Sequence, residues 1–218
     1  MTFKAKIAPL GDSSLLIQLG DEIDAGVNQH VHALAKLIDI SALAGIVETV
    51  PAYSTLLVHY DPLVVSFTQV KSGLRTLIAR AQETGPGKPR QVDVPVRYGG
   101  EHGPDLEFVA AHCELQVEEV IRIHSERTYT VFMMGFTPGF AYMGKLDEAI
   151  ITPRMESPRT HVPAGTVAIA GAQTGIYPLD SPGGWRLIGR TSLRLFDATS
   201  DSPFLFSPGD QVRFIRET

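Results

Sequence analysis

The first 83 residues carry two rounds of the same pattern: apolar residues in short strand-like runs, then at helical spacing. Lys4–Leu10 and Ser14–Leu19 read as short strands joined by the turn residues Gly11-Asp12-Ser13. Ile23, Val27, Val31, Leu34 and Ile38 recur every three or four positions, which predicts an amphipathic helix over 23–39. Ile46–Val50 and Thr55–Tyr60 form a second strand pair around Pro51-Ala52-Tyr53-Ser54. Ser66 and Gln69 have capping-box spacing. Val70, Leu74, Leu77, Ile78 and Ala81 then mark the buried face of a second helix. The sum is a small antiparallel sheet with two helices on one face, an α+β domain of ferredoxin-like or related type.

The pattern breaks at Thr84-Gly85-Pro86-Gly87-Lys88-Pro89, which has linker composition. The division predicted is a domain over 1–84, a linker over 85–91 and a second domain over 92–218. Gln91–Tyr98 is strand-like. Pro104 opens a helical stretch with Asp105 and Glu107 in its first turn, where carboxylates suit the helix dipole. Val117–His124 is another short helix. From Thr128 onward short apolar runs (Tyr129–Met134, Thr166–Ala170, Arg186–Ile188, Leu193–Phe196, Gln211–Ile215) alternate with turn residues. That spacing predicts a mainly-β barrel or sandwich.

Composition narrows the function classes. The 218 residues are 44% hydrophobic and 20% charged, values of an ordinary globular chain. The net charge of −5 and the lack of a Lys/Arg run argue against nucleic acid as a partner. No segment reaches the roughly 18 apolar residues of a membrane span, and the start lacks the apolar run of a signal peptide. The expectation is a cytoplasmic protein. Cys113 is the one cysteine, so no intrachain disulfide framework exists, and a core thiol is expected.

Candidate chemistry concentrates between Phe132 and Arg190. These 59 residues hold nine of the 20 glycines and six of the 15 prolines, interleaved with strands and aromatics. Such a segment builds ordered loops that let backbone approach a ligand. In Gly135–Gly144, the loop Phe136-Thr137-Pro138-Gly139-Phe140 with Tyr142 offers an apolar wall, or else a turn that plugs a barrel end. In 152–165, Arg154 and Arg159 are candidates for fork-like binding of a carboxylate or phosphate, against the plainer reading of pairing with acids such as Glu156. His161 is a candidate general acid/base, although loop histidines are commonly just exposed. In 170–178, Gln173 supplies an amide and Tyr177 a phenol. In 180–191, the amides of Gly183 and Gly184 form a possible anion nest, Trp185 is a pocket wall or simply the largest core residue, and Arg190 stands at a strand end. His30 and His32 on a helix and His59 in a strand lie in the first half, where nothing looks catalytic. Phosphate-loop, dinucleotide, zinc and nucleophile-elbow signatures are missing.

These four elements resemble, in order, the B-subunit family of bacterial ATP-dependent 5-oxoprolinase. That family is also called allophanate hydrolase subunit 1 and includes sporulation-kinase inhibitors. The matching strings are Met134-Gly135-Phe136-Thr137-Pro138-Gly139-Phe140, Val162-Pro163-Ala164-Gly165, Ile169 to Pro178 and Ser181 to Thr191. Gly11-Asp12 and Pro208-Gly209-Asp210 also fit. The resemblance implies a cyclophilin-like β-barrel for the C-terminal domain, with A-type and C-type partner subunits. It implies ATP and Mg²⁺ in the assembled complex, and ring opening of 5-oxoproline to glutamate, by a chain inactive without its partners. A related module handles urea, so the substrate class is small amides or lactams. On this reading His161 and Arg190 are catalytic, Arg154, Arg159 and Arg190 supply charge, and Gln173 and the Gly183-Gly184 amides supply directional hydrogen bonds. Asp180 and Glu156 are possible Mg²⁺ ligands, but their spacing is not diagnostic, and no metal site is assigned. The competing reading is a regulatory protein that docks on a histidine kinase through Phe136–Phe140.

Overall fold

Local signals place the N-terminal elements. In the protein's structure, a computed structural model that describes residues 5–84 and 88–217, Asp24 accepts a hydrogen bond from Val27 N at 2.8 Å. That cap opens helix α1, Ala25–Ser41, two residues later than the apolar spacing predicts. The box at Ser66 is present: Ser66 N donates to Gln69 Oε1 at 3.0 Å and Gln69 N donates to Ser66 Oγ at 3.4 Å. It opens α2, Phe67–Thr84.

The strands of this unit are β1 (Lys6–Pro9), β2 (Ser14–Gln18), β3 (Ile46–Pro51) and β4 (Thr55–Tyr60). They form one antiparallel sheet of order β1-β2-β4-β3. Leu15, Ile17, Leu56 and Val58 point to the face that buries Val31, Leu34 and Ile38 of α1 and Val70, Leu74 and Leu77 of α2. The expected sheet-and-two-helix layering is therefore present. The element order is ββαββα, which differs from the βαββαβ order of a ferredoxin-like fold. Buried Asn28 pins α1 to the β3–β4 turn by donating to the carbonyls of Ala52 and Tyr53 at 3.0 and 3.1 Å.

By its contacts the chain divides into two compact units, Met1–Lys88 and Pro89–Thr218. Residues 85–87 of the expected linker, like Met1 to Lys4, lie outside the described residues, and Gln91 opens a strand. No helix among the described residues is long and apolar enough to cross a membrane.

The second unit is a closed seven-stranded barrel with two helices, so the protein as a whole is a mixed α+β fold. Its wall is built from β5 (Gln91–Tyr98), β6 (Thr128–Met134), β7 (Ala141–Gly144), β9 (Thr166–Ala170), β10 (Gln173–Ile176), β12 (Arg186–Arg190) and β13 (Gln211–Arg216). The order is β10-β7-β6-β13-β5-β12-β9, and β9 pairs with β10 to close the ring. Only β13 and β5 run parallel. A two-stranded flap, β8 (Arg159–Val162) with β11 (Ser181–Gly183), stands apart from the wall. Leu193–Phe196, expected as a strand, is held only by an isolated bridge from Phe196 to Phe204, with buried Leu195 as its apolar anchor.

Alternation along the wall makes two cores. Val94, Val131, Met143, Val167, Ile169, Ile188 and Phe214 fill the barrel, together with side chains of α3 (Leu106–His112) and α4 (Val117–Ser125). Tyr142, Ala168, Ala170 and Leu187 face outward and meet Phe140, Val162, Tyr177 and Trp185. This explains why all five residues of β9 are buried: one side lies in the barrel, the other under the flap. Cys113 is a free thiol at the end of α3, half-buried against the barrel core.

Candidate functional site

The outer core opens into a cavity of about 310 Å³, lined by Phe136, Phe140, Tyr142, Arg154, Met155, Pro158, Tyr177, Pro182, Gly183, Gly184 and Trp185. Phe140 is its hub. Its ring stands edge-on to Tyr142, Tyr177 and Trp185, with centroids 4.8, 5.3 and 5.5 Å away. Phe136 leans edge-on against Phe140 from the rim and is 63% exposed. The Arg154 guanidinium lies 5.8 Å from the Trp185 ring centre, a cation–π contact at the mouth.

Two glycines allow this packing. A Cβ on Gly175 of β10 would sit 3.1 Å from Phe140 Cζ and 3.2 Å from Trp185 Cζ3. A Cβ on Gly183 would come within 2.2 Å of the Tyr177 hydroxyl. Neither Gly183 nor Gly184 has a positive φ, so no nest of alternating left- and right-handed residues is built on them. Gly184 instead uses its carbonyl to hold Met155 N at 2.8 Å, which fixes the loop carrying Arg154.

The electrostatics keep the phenols neutral. Burial pushes Tyr142 up from its ordinary value, partly offset by the Arg154 charge. Burial raises Tyr177 as well, against the Trp185 backbone N–H that bonds its oxygen and the Arg154 charge. Two O–H donors, one cation and aromatic faces thus surround one small space. That set suits a flat, polar ring bearing a negative group.

The structure separates the remaining sequence candidates. Arg159 is spent: its Nη2 donates to Asp105 Oδ1 at 2.7 Å. Buried Asp105 accepts Leu187 N at 2.7 Å with its other oxygen and makes no capping bond to α3. Asp105 stands at the N-cap of α3, and its carboxylate also ties the flap to the barrel wall. Thr137 and Pro138 line neither this cavity nor the larger, arginine-rich one, and Gly139 packs on Phe196 and Pro178. Gln173 begins β10 opposite Gly144, at the far end of that strand from the aromatic cavity. His161 is 63% exposed on β8, with Nε2 3.9 Å from Asp180 Oδ2, and lines neither cavity.

Arg190 belongs to the larger cavity, of about 570 Å³, whose lining includes Arg97, His102, Pro178, Arg194, Phe196 and Glu217. Asp180 is engaged with Ala164 N at 2.8 Å. Among the described residues no three His, Cys, Asp or Glu side chains come together as a metal site.

Tyr142 stands out in the sequence only as part of a wall, and Met155, Pro158 and Pro182 do not stand out at all, although each lies inside or beside the glycine- and proline-rich strings. Arg97, His102 and Arg194 lie outside the Phe132–Arg190 window. Their only signal is position at the ends of strands or in loops.

The chain belongs to the carboxyltransferase domain, subdomain C and D family, which it matches over residues 5–206. It is 44% identical to the 5-oxoprolinase B subunit of Bacillus subtilis (strain 168), covering 99% of this chain and 94% of that protein. It is 39% identical to the 5-oxoprolinase B subunit of Escherichia coli O157:H7, covering 97% and 96%. The crystal structure of TTHA0988 superposes with a TM-score of 0.84 at 38% identity, covering 94% of this chain. This chain spans only 39% of that longer one.

Proposed function

We propose that the chain is one component of an ATP-dependent 5-oxoprolinase and holds the lactam in the aromatic cavity. The observation that carries this reading is the lining itself: Phe140, Tyr142, Tyr177 and Trp185 around about 310 Å³, with Arg154 at the mouth. 5-Oxoproline is a flat five-membered ring with one carboxylate. Its ring faces suit the aromatic edges, its carboxylate suits the Arg154 fork, and its amide oxygen can accept from a neutral phenol. The relatives' shared name, the B subunit of 5-oxoprolinase, supports the same substrate and implies further subunits.

The chemistry accounts for the need for ATP. The lactam is a resonance-stabilised amide with a poor leaving group. Attack by its oxygen on the terminal phosphorus of ATP releases ADP and leaves an imidate-like phosphate. Water then adds to the activated carbon, and the ring C–N bond breaks, which leaves an acyl phosphate and turns the nitrogen into the amino group; a second water displaces phosphate to give glutamate. This chain's part is to bind and orient the lactam and to exclude water from its faces. The hydrolytic step falls to an A-type partner. A C-type partner completes the cavity, whose exposed rim at Phe136 is suited to contact. Mg²⁺ bound with the nucleotide would neutralise phosphate charge.

The test is reconstitution with the protein products of neighbouring reading frames, assayed for glutamate and ADP from 5-oxoproline and ATP. Turnover is expected only with all partners present. Arg154→Ala should lower kcat/KM for 5-oxoproline about tenfold or more, chiefly through KM. A folded, assembled complex that releases no glutamate would overturn the reading.

A further inference from the structure

The larger cavity runs against the charge of the rest of the molecule. The chain is acidic, at −5, yet this lining carries Arg97, Arg190 and Arg194 against one carboxylate, Glu217, with His102 beside them. Two of the arginines are partly neutralised. Arg97 Nε lies 3.3 Å from Glu217 Oε2, and Arg194 Nη1 lies 2.9 Å from Asp197. His102 faces Glu101 at 3.7 Å. Asp180 is close by, bound to the amide of Ala164 and paired at 3.9 Å with His161.

Arg190 differs from its neighbours. Its Nε donates to the Ala164 carbonyl at 3.0 Å, and among the described residues it forms no ion pair with a carboxylate. A guanidinium anchored through Nε by a neutral acceptor keeps its two terminal nitrogens and its full charge for a ligand. Here the unneutralised cation sits in the wall of a cavity large enough for more than one phosphate.

The two cavities share a wall. Tyr177 lines the aromatic one and the next residue, Pro178, lines the arginine one. On the other side of the wall Gly139 packs against Phe196 and Pro178, while Phe140 forms the aromatic hub.

We propose that the cavity of Arg97, Arg190, Arg194 and His102 binds a phosphate-bearing ligand, with Arg190 as its principal anchor. The ligand's role as donor or product of lactam activation rests on the 5-oxoprolinase reading. The binding itself does not. The chemical class is a phosphate ester or anhydride, recognised through its oxygens by guanidinium forks.

The test is calorimetric titration of the purified full-length chain with inorganic pyrophosphate at low ionic strength. Saturable binding is expected. Arg190→Gln should weaken it about tenfold or more, and Arg194→Gln should weaken it measurably. Arg122→Gln removes an equal charge from the surface of α4, where Arg122 pairs with Glu126, and should leave the affinity unchanged. Should Arg190→Gln fail to fold, judged by Trp185 fluorescence, Arg194→Gln carries the test. No saturable binding to the wild-type chain, or equal weakening by Arg122→Gln, overturns the proposal. Pyrophosphate binding without lactam turnover in the reconstituted complex keeps this site and removes the lactam reading. Turnover without binding does the reverse.

Discussion

His124 shows how one residue's environment sets a property of the folded state. It projects from α4 into the barrel and is fully buried. Its Nε2 lies 2.9 Å from Thr174 Oγ1, and that hydroxyl is 3.2 Å from the Ala168 carbonyl, to which it donates. Thr174 therefore accepts from Nε2–H, and Nδ1 accepts from the Tyr98 hydroxyl at 2.8 Å. The network wants a neutral ring, and burial pushes His124 down to about 3 from 6.5. Between those values the unfolded chain binds a proton that the folded chain refuses. This contribution to stability is full above about pH 6.5 and is lost as pH falls toward 3, at up to about 1.4 kcal/mol per pH unit. Urea unfolding between pH 7 and 5 should show the wild type losing stability faster than His124→Gln. Subtracting the two cancels what the carboxylates contribute to both, and equal slopes would refute the assignment. Asp105 is a second such residue. Asp105→Ala would leave Leu187 N–H unpaired and deprive the largely buried Arg159 of its counter-charge, at a cost of about 3 kcal/mol in the same urea assay. A loss under about 1 kcal/mol would mean that water replaces both bonds.

The elements that form the aromatic cavity differ in how far their sequences announce them. In the N-terminal unit, apolar spacing and the Ser66–Gln69 box locate α1, α2 and four strands to within a few residues, because each burial pattern is local. In the barrel, β9, β12 and β13 are legible as apolar runs. By contrast β7, β8, β10 and β11 are four residues or shorter and rich in glycine or polar residues, so they have no period to read. Their existence depends on partners distant in sequence. Gly175 shows the consequence. As a letter it reads as a turn residue, yet it lies in mid-strand because two aromatic rings occupy the place of its side chain. Gly175→Ala should push Phe140 and Trp185 apart by a few tenths of an ångström and destabilise the unit by about 1–3 kcal/mol, as overpacking does. Trp185 is the sole tryptophan, so its emission reports the change directly. An unaltered spectrum with unaltered stability would show that the flap absorbs the extra methyl.

Across the whole molecule, the sequence concentrates the candidate residues in one glycine- and proline-rich segment but does not divide them. Arg154, Arg159 and Arg190 look equivalent as letters, and the fold gives them three fates: a cavity mouth, a flap-to-wall ion pair and a separate cationic cavity. Strand register makes that division, and it also recruits Arg97 from β5, which no reading of the segment would include. Each of these contacts joins elements within Pro89–Thr218, as do the barrel and outer cores. The barrel closes on itself and needs no outside strand to cover an edge. Residues 89–218 expressed alone should therefore fold, unfold cooperatively in urea and retain the wild-type emission of Trp185. They should also bind pyrophosphate as the full chain does, since every lining residue of the arginine cavity lies within them. A non-cooperative transition, or emission shifted toward that of exposed indole, would show that residues 1–88 are required to complete the barrel's packing.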